Sequence, residues 1–185
     1  MKEFYHMNIA GCERDLPICK AESGLVIAGF VIFGDVELTC AAAKELLSKA
    51  PEFDYLIAPE AKAIPLVHEM ARQSGRNYYM LVRKAPKLYM KEVFCTEVKS
   101  ITTEAVQRLY MDKADADKIR GKRMLLLDDV ISTGESLAAL ERLVTEAGGI
   151  VAGRMAILAE GAASERDDII YLEKLPLFDS EGNPL

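Results

Sequence analysis

The sequence has no surplus of basic charge: 23 Lys and Arg stand against 29 Asp and Glu, a formal net charge of -6. A protein that grips a phosphate backbone draws its affinity from a basic face, so nucleic acid is disfavoured as a partner. No apolar run is long enough to span a bilayer, and the N-terminus Met1-Lys2-Glu3-Phe4-Tyr5-His6 lacks a basic region followed by an apolar one. No membrane partner is expected, and a cytoplasmic location is. The four cysteines, Cys12, Cys19, Cys40 and Cys95, have no paired spacing, which excludes a zinc signature and an evident disulfide framework and predicts buried free thiols. The two histidines, His6 and His68, are isolated, and His68 falls on a predicted helix as a surface or packing residue. Repeats, low-complexity tracts and a linker rich in Pro, Gly or Ser are missing too, so one main domain is expected. Neither G-x-x-x-x-G-K-[ST] nor G-x-G-x-x-G follows a predicted strand, which removes the nucleoside-triphosphate loop and the dinucleotide fingerprint.

What is present is a 50% hydrophobic composition over 185 residues, enough to bury a core. Residues 24–33 are rich in β-branched and aromatic types and end at Gly34-Asp35, which predicts a strand and turn. Asp35 is placed as an N-cap, with Leu38, Ala42 and Leu46 at helical spacing until Pro51. A strand at 55–58, a helix at 64–74 opened by Pro65 and closed by Gly75, and a strand at 78–82 form a β-α-β unit. A polar, lysine-bearing stretch precedes a strand at 106–111. A second β-α-β unit follows, with strand 123–127, helix 136–147 closed by Gly148-Gly149, and an apolar strand at 150–158. The expected fold class is therefore α/β, a mostly parallel sheet flanked by helices, with ligands collecting at the carboxyl ends of the strands. Residues 1–34 are set apart as a small N-terminal strand region from the core at 35–185.

The chemistry concentrates after Leu125-Leu126-Leu127. That strand delivers Asp128 and Asp129 to a sheet end, and Ser132-Thr133-Gly134-Glu135-Ser136 turns into a helix. A loop entering a helix N-terminus aims several unpaired backbone N–H groups at one spot, where the helix dipole also favours negative charge. Gly134 permits close approach, and the hydroxyls add donors. Two carboxylates beside an anion site would repel a phosphate unless they accept from another group, such as neighbouring sugar hydroxyls. A phosphorylated sugar satisfies both halves. The plainer alternative is a capped turn and an ordinary helix start.

Two acids after an apolar strand followed by Val-Ile-Ser-Thr-Gly-x-Ser resemble the motif with which type I phosphoribosyltransferases bind 5-phosphoribosyl-1-pyrophosphate (PRPP). The resemblance implies that family's fold, with residues 1–34 as a hood. It gives the 5′-phosphate to Ser132, Thr133, Gly134, Glu135 and Ser136, and the ribose hydroxyls to Asp128 and Asp129. Pro59-Glu60-Ala61-Lys62-Ala63 resembles the family's pyrophosphate loop, implying pyrophosphate contacts from Glu60, Ala61 and Lys62. Arg83-Lys84-Ala85-Pro86-Lys87-Leu88 resembles the Arg-Lys-x-x-Lys-Leu segment of adenine phosphoribosyltransferases. Fixed cations at Arg83, Lys84 and Lys87 would stabilise charge developing on a leaving pyrophosphate. Asp128, Asp129 and Arg83 are the catalytic candidates. The resemblance also implies Mg²⁺ as cofactor, held mainly by PRPP oxygens and waters with no protein metal ligand assigned, and a homodimer.

Residues 91–103 occupy the place of the family's catalytic lid, which would exclude water from the reacting centre. They depart from the family's Glu-Tyr-Gly pattern and carry Phe94 and Val98 where a polar loop is expected. The base would lie under the hood, in a slot built from segments containing Arg14-Asp15-Leu16-Pro17-Ile18 and Phe30-Val31-Ile32. An N-terminal hairpin that only completes the packing is an equal alternative. After the strand ending Ile157-Leu158-Ala159 come Glu160-Gly161 and no nearby lysine. A 6-oxopurine wants a donor there and adenine an acceptor, so Phe30 and Glu160 are the base candidates and adenine is favoured. The expected activity is adenine plus PRPP giving AMP plus pyrophosphate. The alternatives are a xanthine or hypoxanthine enzyme, or a PRPP-sensing regulator without turnover.

Overall fold

A computed structural model describes residues 2–21, 24–99 and 106–185. Among the described residues, ten strands and four α-helices run in the order β1 (Phe4–Ile9), β2 (Cys12–Lys20), β3 (Val26–Ala28), α1 (Val36–Lys49), β4 (Tyr55–Pro59), α2 (Ile64–Gln73), β5 (Met80–Val82), β6 (Val93–Lys99), β7 (Val106–Asp112), α3 (Lys113–Ile119), β8 (Arg123–Ile131), α4 (Glu135–Glu146), β9 (Ile150–Glu160) and β10 (Ile170–Leu175). Five of the strands form one sheet in the order β10-β9-β8-β4-β5, each neighbouring pair parallel.

The sheet is covered on both faces, and the strand alternation sorts its residues between them. Leu125, Leu127, Leu56 and Ala58 pack with Leu38, Leu46 and Met70 of α1 and α2. Met124, Leu126 and Ile57 point the other way, toward Leu140, Leu143 and Ile119 of α4 and α3. This is why both middle strands read as unbroken apolar runs. α1 begins where expected: the Asp35 carboxylate accepts from Leu38 N–H at 3.0 Å, and Arg14 reaches the same side chain at 2.6 and 2.9 Å. That ion pair ties the N-terminal strands to the first helix.

Those N-terminal strands depart from the expectation of a strand across 24–33. β1 and β2 make a hairpin turning at Ala10-Gly11, and β3 adds only three residues to it. Gly29 N–H donates to Pro17 O at 2.8 Å, and the chain then leaves the sheet with Phe30 and Ile32 buried and Val31 and Phe33 exposed. Tyr5 packs edge-on against Phe178 with ring centroids 5.1 Å apart, joining the hairpin to the C-terminal segment.

Residues 93–99 also differ from the expected polar lid. They form a strand paired antiparallel with β7 over a seven-residue register. The physical reason is visible in its inward face: Phe94 packs on the α4 side of the core, and Thr96, 2% exposed, donates to the Glu146 carboxylate at 2.6 Å. Of the expected lid at 91–103, residues 100–103 lie outside the described residues. The cysteines are free as expected, but only Cys12 is buried; Cys19 and Cys95 are exposed and Cys40 is intermediate. Among the described residues, no helix is long and apolar enough to cross a membrane.

Candidate active site at four strand ends

Four neighbouring strands deliver chemistry at their carboxyl ends. Pro59 closes β4 and Val82 closes β5, and because these two residues pair, Glu60 and Arg83 emerge side by side. Glu60 N–H donates to Val82 O at 2.8 Å, and the Arg83 guanidinium donates to the Glu60 carboxylate at 2.9 Å. The other carboxylate oxygen accepts from Lys84 N–H at 3.0 Å, with Lys87 Nζ 3.5 Å away. Burial pushes the Glu60 carboxyl up, yet the Lys84 N–H, Arg83 and Lys87 outweigh it and hold it below the ordinary glutamate range. The peptide bond between Glu60 and Ala61 is cis.

β8 runs further than the apolar run at 123–127 suggests, so Asp128 and Asp129 belong to the strand itself. Asp128 pairs with Ala156 and Ile131 with Ala159 of β9. Their backbone is thereby fixed, while Asp129, 5% exposed, turns its side chain into the protein. Its Oδ2 is buried with no hydrogen-bond partner among the described residues, and Lys62 Nζ stands 3.9 Å from it. Burial, then the charge of Asp129, pushes the Asp128 carboxyl up to about 7, with Lys62 opposing. Asp128 accepts from the Asp129 N–H at 2.9 Å, so among the described residues the buried oxygen left without a donor is Asp129 Oδ2.

Beyond Ile131 the chain bends into α4. Gly134 sits at the helix N-cap with φ of 78°, a left-handed conformation that L side chains rarely adopt, and no side chain caps the helix there. The first N–H groups of α4 thus keep no side-chain acceptor at the cap, apart from Glu135 N–H facing Thr133 Oγ1 at 3.4 Å. Ser132, Thr133 and Ser136 are all exposed. A cavity of about 290 Å³ is lined by Pro59, Lys84, Arg108, Leu109 and Ser136, so the β4 loop, the cationic segment and the helix start border one space.

Of the residues singled out from sequence, Glu60, Arg83, Lys84 and Lys87 form one cluster, and Lys62 faces the acid pair. Glu160 ends β9; burial pushes its carboxyl up and the charge of Lys62 opposes that. Phe30 is 4% exposed and packs in the core below the N-terminal sheet. Arg108 on β7 borders the cavity and was missed by sequence reasoning. It pairs with Glu97 across the β6-β7 ladder at 2.7 Å, a relationship that only the register reveals. Among the described residues, no group of three or more His, Cys, Asp or Glu could hold a metal ion.

Residues 37–177 match the family described as phosphoribosyl transferase domain, most of the chain. The chain belongs to the phosphoribosyltransferase family. Its relatives include a protein named adenine phosphoribosyltransferase from Thermotoga petrophila, 38% identical over 109 residues, 59% of this chain and 60% of that protein. The match thus spans about three fifths of the length of that relative. A second, of the same name, from Rhodococcus jostii is 30% identical over 149 residues, covering 79% of this chain and 78% of its own. The fold is similar to the crystal structure of adenine phosphoribosyltransferase from Thermoanaerobacter pseudethanolicus, with a TM-score of 0.65 and 21% identity over 94% of this chain and 96% of that one. The α/β fold expected from the motif is thereby the fold observed.

Proposed function

We propose that this protein transfers the phosphoribosyl group of PRPP to adenine, giving AMP and pyrophosphate. The observation that carries the reading is the end of β8. A carboxylate pair with a buried oxygen that has no hydrogen-bond partner among the described residues stands before a helix start entered through left-handed Gly134, the two surfaces a phosphorylated ribose needs. Asp128 and Asp129 accept from the ribose hydroxyls. The loop from Ser132 to Ser136 receives the 5′-phosphate on its backbone N–H groups and hydroxyls.

Transfer forms a bond from a ring nitrogen of the base to the anomeric carbon as the bond from that carbon to the pyrophosphate oxygen breaks. Negative charge grows on the leaving group, and Lys62, Arg83, Lys84 and Lys87 are the cations that meet it. Glu60 holds Arg83 and Lys87 in place until pyrophosphate competes for them. Mg²⁺, when bound, neutralises charge on the pyrophosphate. A site offering at most the two carboxylates Asp128 and Asp129 suits a cation that keeps its waters and phosphate oxygens. Residues 1–34 serve as the hood. Within the base site Glu160 acts as an acceptor for the exocyclic amine of adenine, and Phe30 supports the slot from the core side. A homodimer and a cytoplasmic location complete the reading, the latter supported by four unpaired thiols and an acidic composition.

The names of the relatives support adenine over a 6-oxopurine. Phe94, one of the two residues that depart from a polar lid, packs on the α4 side of the core, which weakens the motive for a regulator without turnover. The test is pyrophosphate release with Mg²⁺, PRPP and each common nucleobase. Release with adenine at least tenfold above hypoxanthine, xanthine and guanine is expected. PRPP binding without turnover on any base would refute the enzyme.

A further inference from the structure

We propose that Arg166 completes the phosphate site, donating a charge-assisted hydrogen bond to the 5′-phosphate through its Nη1. The proposal rests on the phosphoribosyl-transfer reading above. The loop itself raises the need: residues 128–136 carry Asp128, Asp129 and Glu135 and no basic side chain. A phosphate dianion arriving there meets the carboxylates of Asp128 and Asp129, which backbone N–H groups, the helix dipole and Lys62, 3.9 Å from Asp129, offset in part. A cation from elsewhere in the chain would change that balance.

Arg166 follows a short 3-10 turn, Gly161–Glu165, between β9 and β10, at the same end of the sheet as the acid pair. Its Nε donates to Asp168 Oδ1 at 2.8 Å and its Nη2 to Asp168 Oδ2 at 2.7 Å. That two-pronged contact occupies one edge of the planar guanidinium and fixes the direction of the other. The remaining nitrogen, Nη1, lies 2.8 Å from where a Cβ on Gly134 would stand. The guanidinium therefore borders the left-handed residue at the start of α4.

The anchor continues behind it. Arg154 Nε lies 3.7 Å from Asp168 Oδ2, and Arg154 in turn holds Glu141, through Nε at 2.9 Å and through a second contact from Nη2. Glu141 belongs to α4, so the chain Arg166-Asp168-Arg154-Glu141 returns to the helix whose N-terminus forms the site. The arginine is thus held in register with the loop it borders. Its side chain is 39% exposed, open to an incoming ligand.

The experiment compares wild type, Arg166→Ala and Arg166→Lys by titration with ribose 5-phosphate in a calorimeter and by initial rates in PRPP and adenine. Arg166→Ala is expected to weaken ribose 5-phosphate binding about tenfold or more, as loss of a charge-assisted bond does. KM for PRPP should rise by a similar factor, with KM for adenine and the melting temperature nearly unchanged, and Arg166→Lys should recover part of the loss. Unchanged affinity in Arg166→Ala, where wild type binds ribose 5-phosphate, overturns the proposal alone. A loss matched by lost adenine affinity and a lowered melting temperature makes Arg166 structural, and also overturns it. Wild type that binds neither ribose 5-phosphate nor PRPP overturns the phosphoribosyl reading, and this proposal with it.

Discussion

The two halves of the candidate site manage charge in opposite ways. At the ends of β4 and β5, one carboxylate, Glu60, is enclosed by Arg83, Lys87 and the Lys84 N–H, each within 3.5 Å. At the end of β8, Asp128 and Asp129 stand together; Asp128 accepts from the Asp129 N–H at 2.9 Å, and among the described residues the cation nearest the pair is Lys62, 3.9 Å from Asp129. The first half is compensated and pre-set; the second carries a cost that a ligand can relieve. A sheet edge built this way positions its cations before substrate arrives and keeps its acceptors unsatisfied until sugar hydroxyls reach them.

The comparison can be broken first on the compensated side. Arg83→Ala removes a fixed cation and leaves Glu60 with fewer donors, so kcat for pyrophosphate release should fall about 10²-fold or more. A change confined to KM for adenine would show that Arg83 serves the base and not the leaving group. Gly134→Ala acts on the other side: a residue at φ of 78° strains the loop by roughly 1–2 kcal/mol, and its Cβ would meet Arg166 at 2.8 Å. Weaker PRPP binding with a lower melting temperature is expected, and an unaltered Kd would separate the loop from the phosphate.

Asp128→Asn gives the smallest and most diagnostic change. The folded protein holds the Asp128 proton more tightly than the unfolded chain, up to about pH 7, because burial and Asp129 disfavour the charge. That contribution is complete below the ordinary aspartate pKa of about 4 and is lost as pH rises through about 7. Ligand-free Asp128→Asn should therefore be more stable than wild type at pH 8, by on the order of 1 kcal/mol, with the gap closing toward pH 4. Melting curves at both pH values check this; a gap independent of pH would remove the charge-repulsion account.

Much of this arrangement was legible in the sequence because it is local. An apolar strand, two acids and a glycine-bearing helix start lie within a dozen residues, and Glu60 and Arg83 each follow a strand whose periodicity is plain. What escaped depends on distant pairing. Resemblance places residues 91–103 as a lid, and the strand β6 within them is not foreseen because its alternate residues, Phe94 and Thr96, find their partners on α4, some 50 residues on. β10, at the sheet edge, follows the charged stretch Glu165-Arg166-Asp167-Asp168, which hides its start. Arg108 and Arg166 belong to no local motif; the β6-β7 register and the β9-β10 connection set their places.

The most direct test of the central claim is PRPP affinity, measured calorimetrically with Mg²⁺ on wild type and on the double variant Asp128→Asn, Asp129→Asn. The account predicts a folded variant with a melting temperature at or above that of wild type at pH 8, and PRPP binding weakened about 100-fold or more through the loss of charged acceptors for the ribose hydroxyls. A folded variant that binds PRPP as tightly as wild type would place the ribose somewhere other than the end of β8.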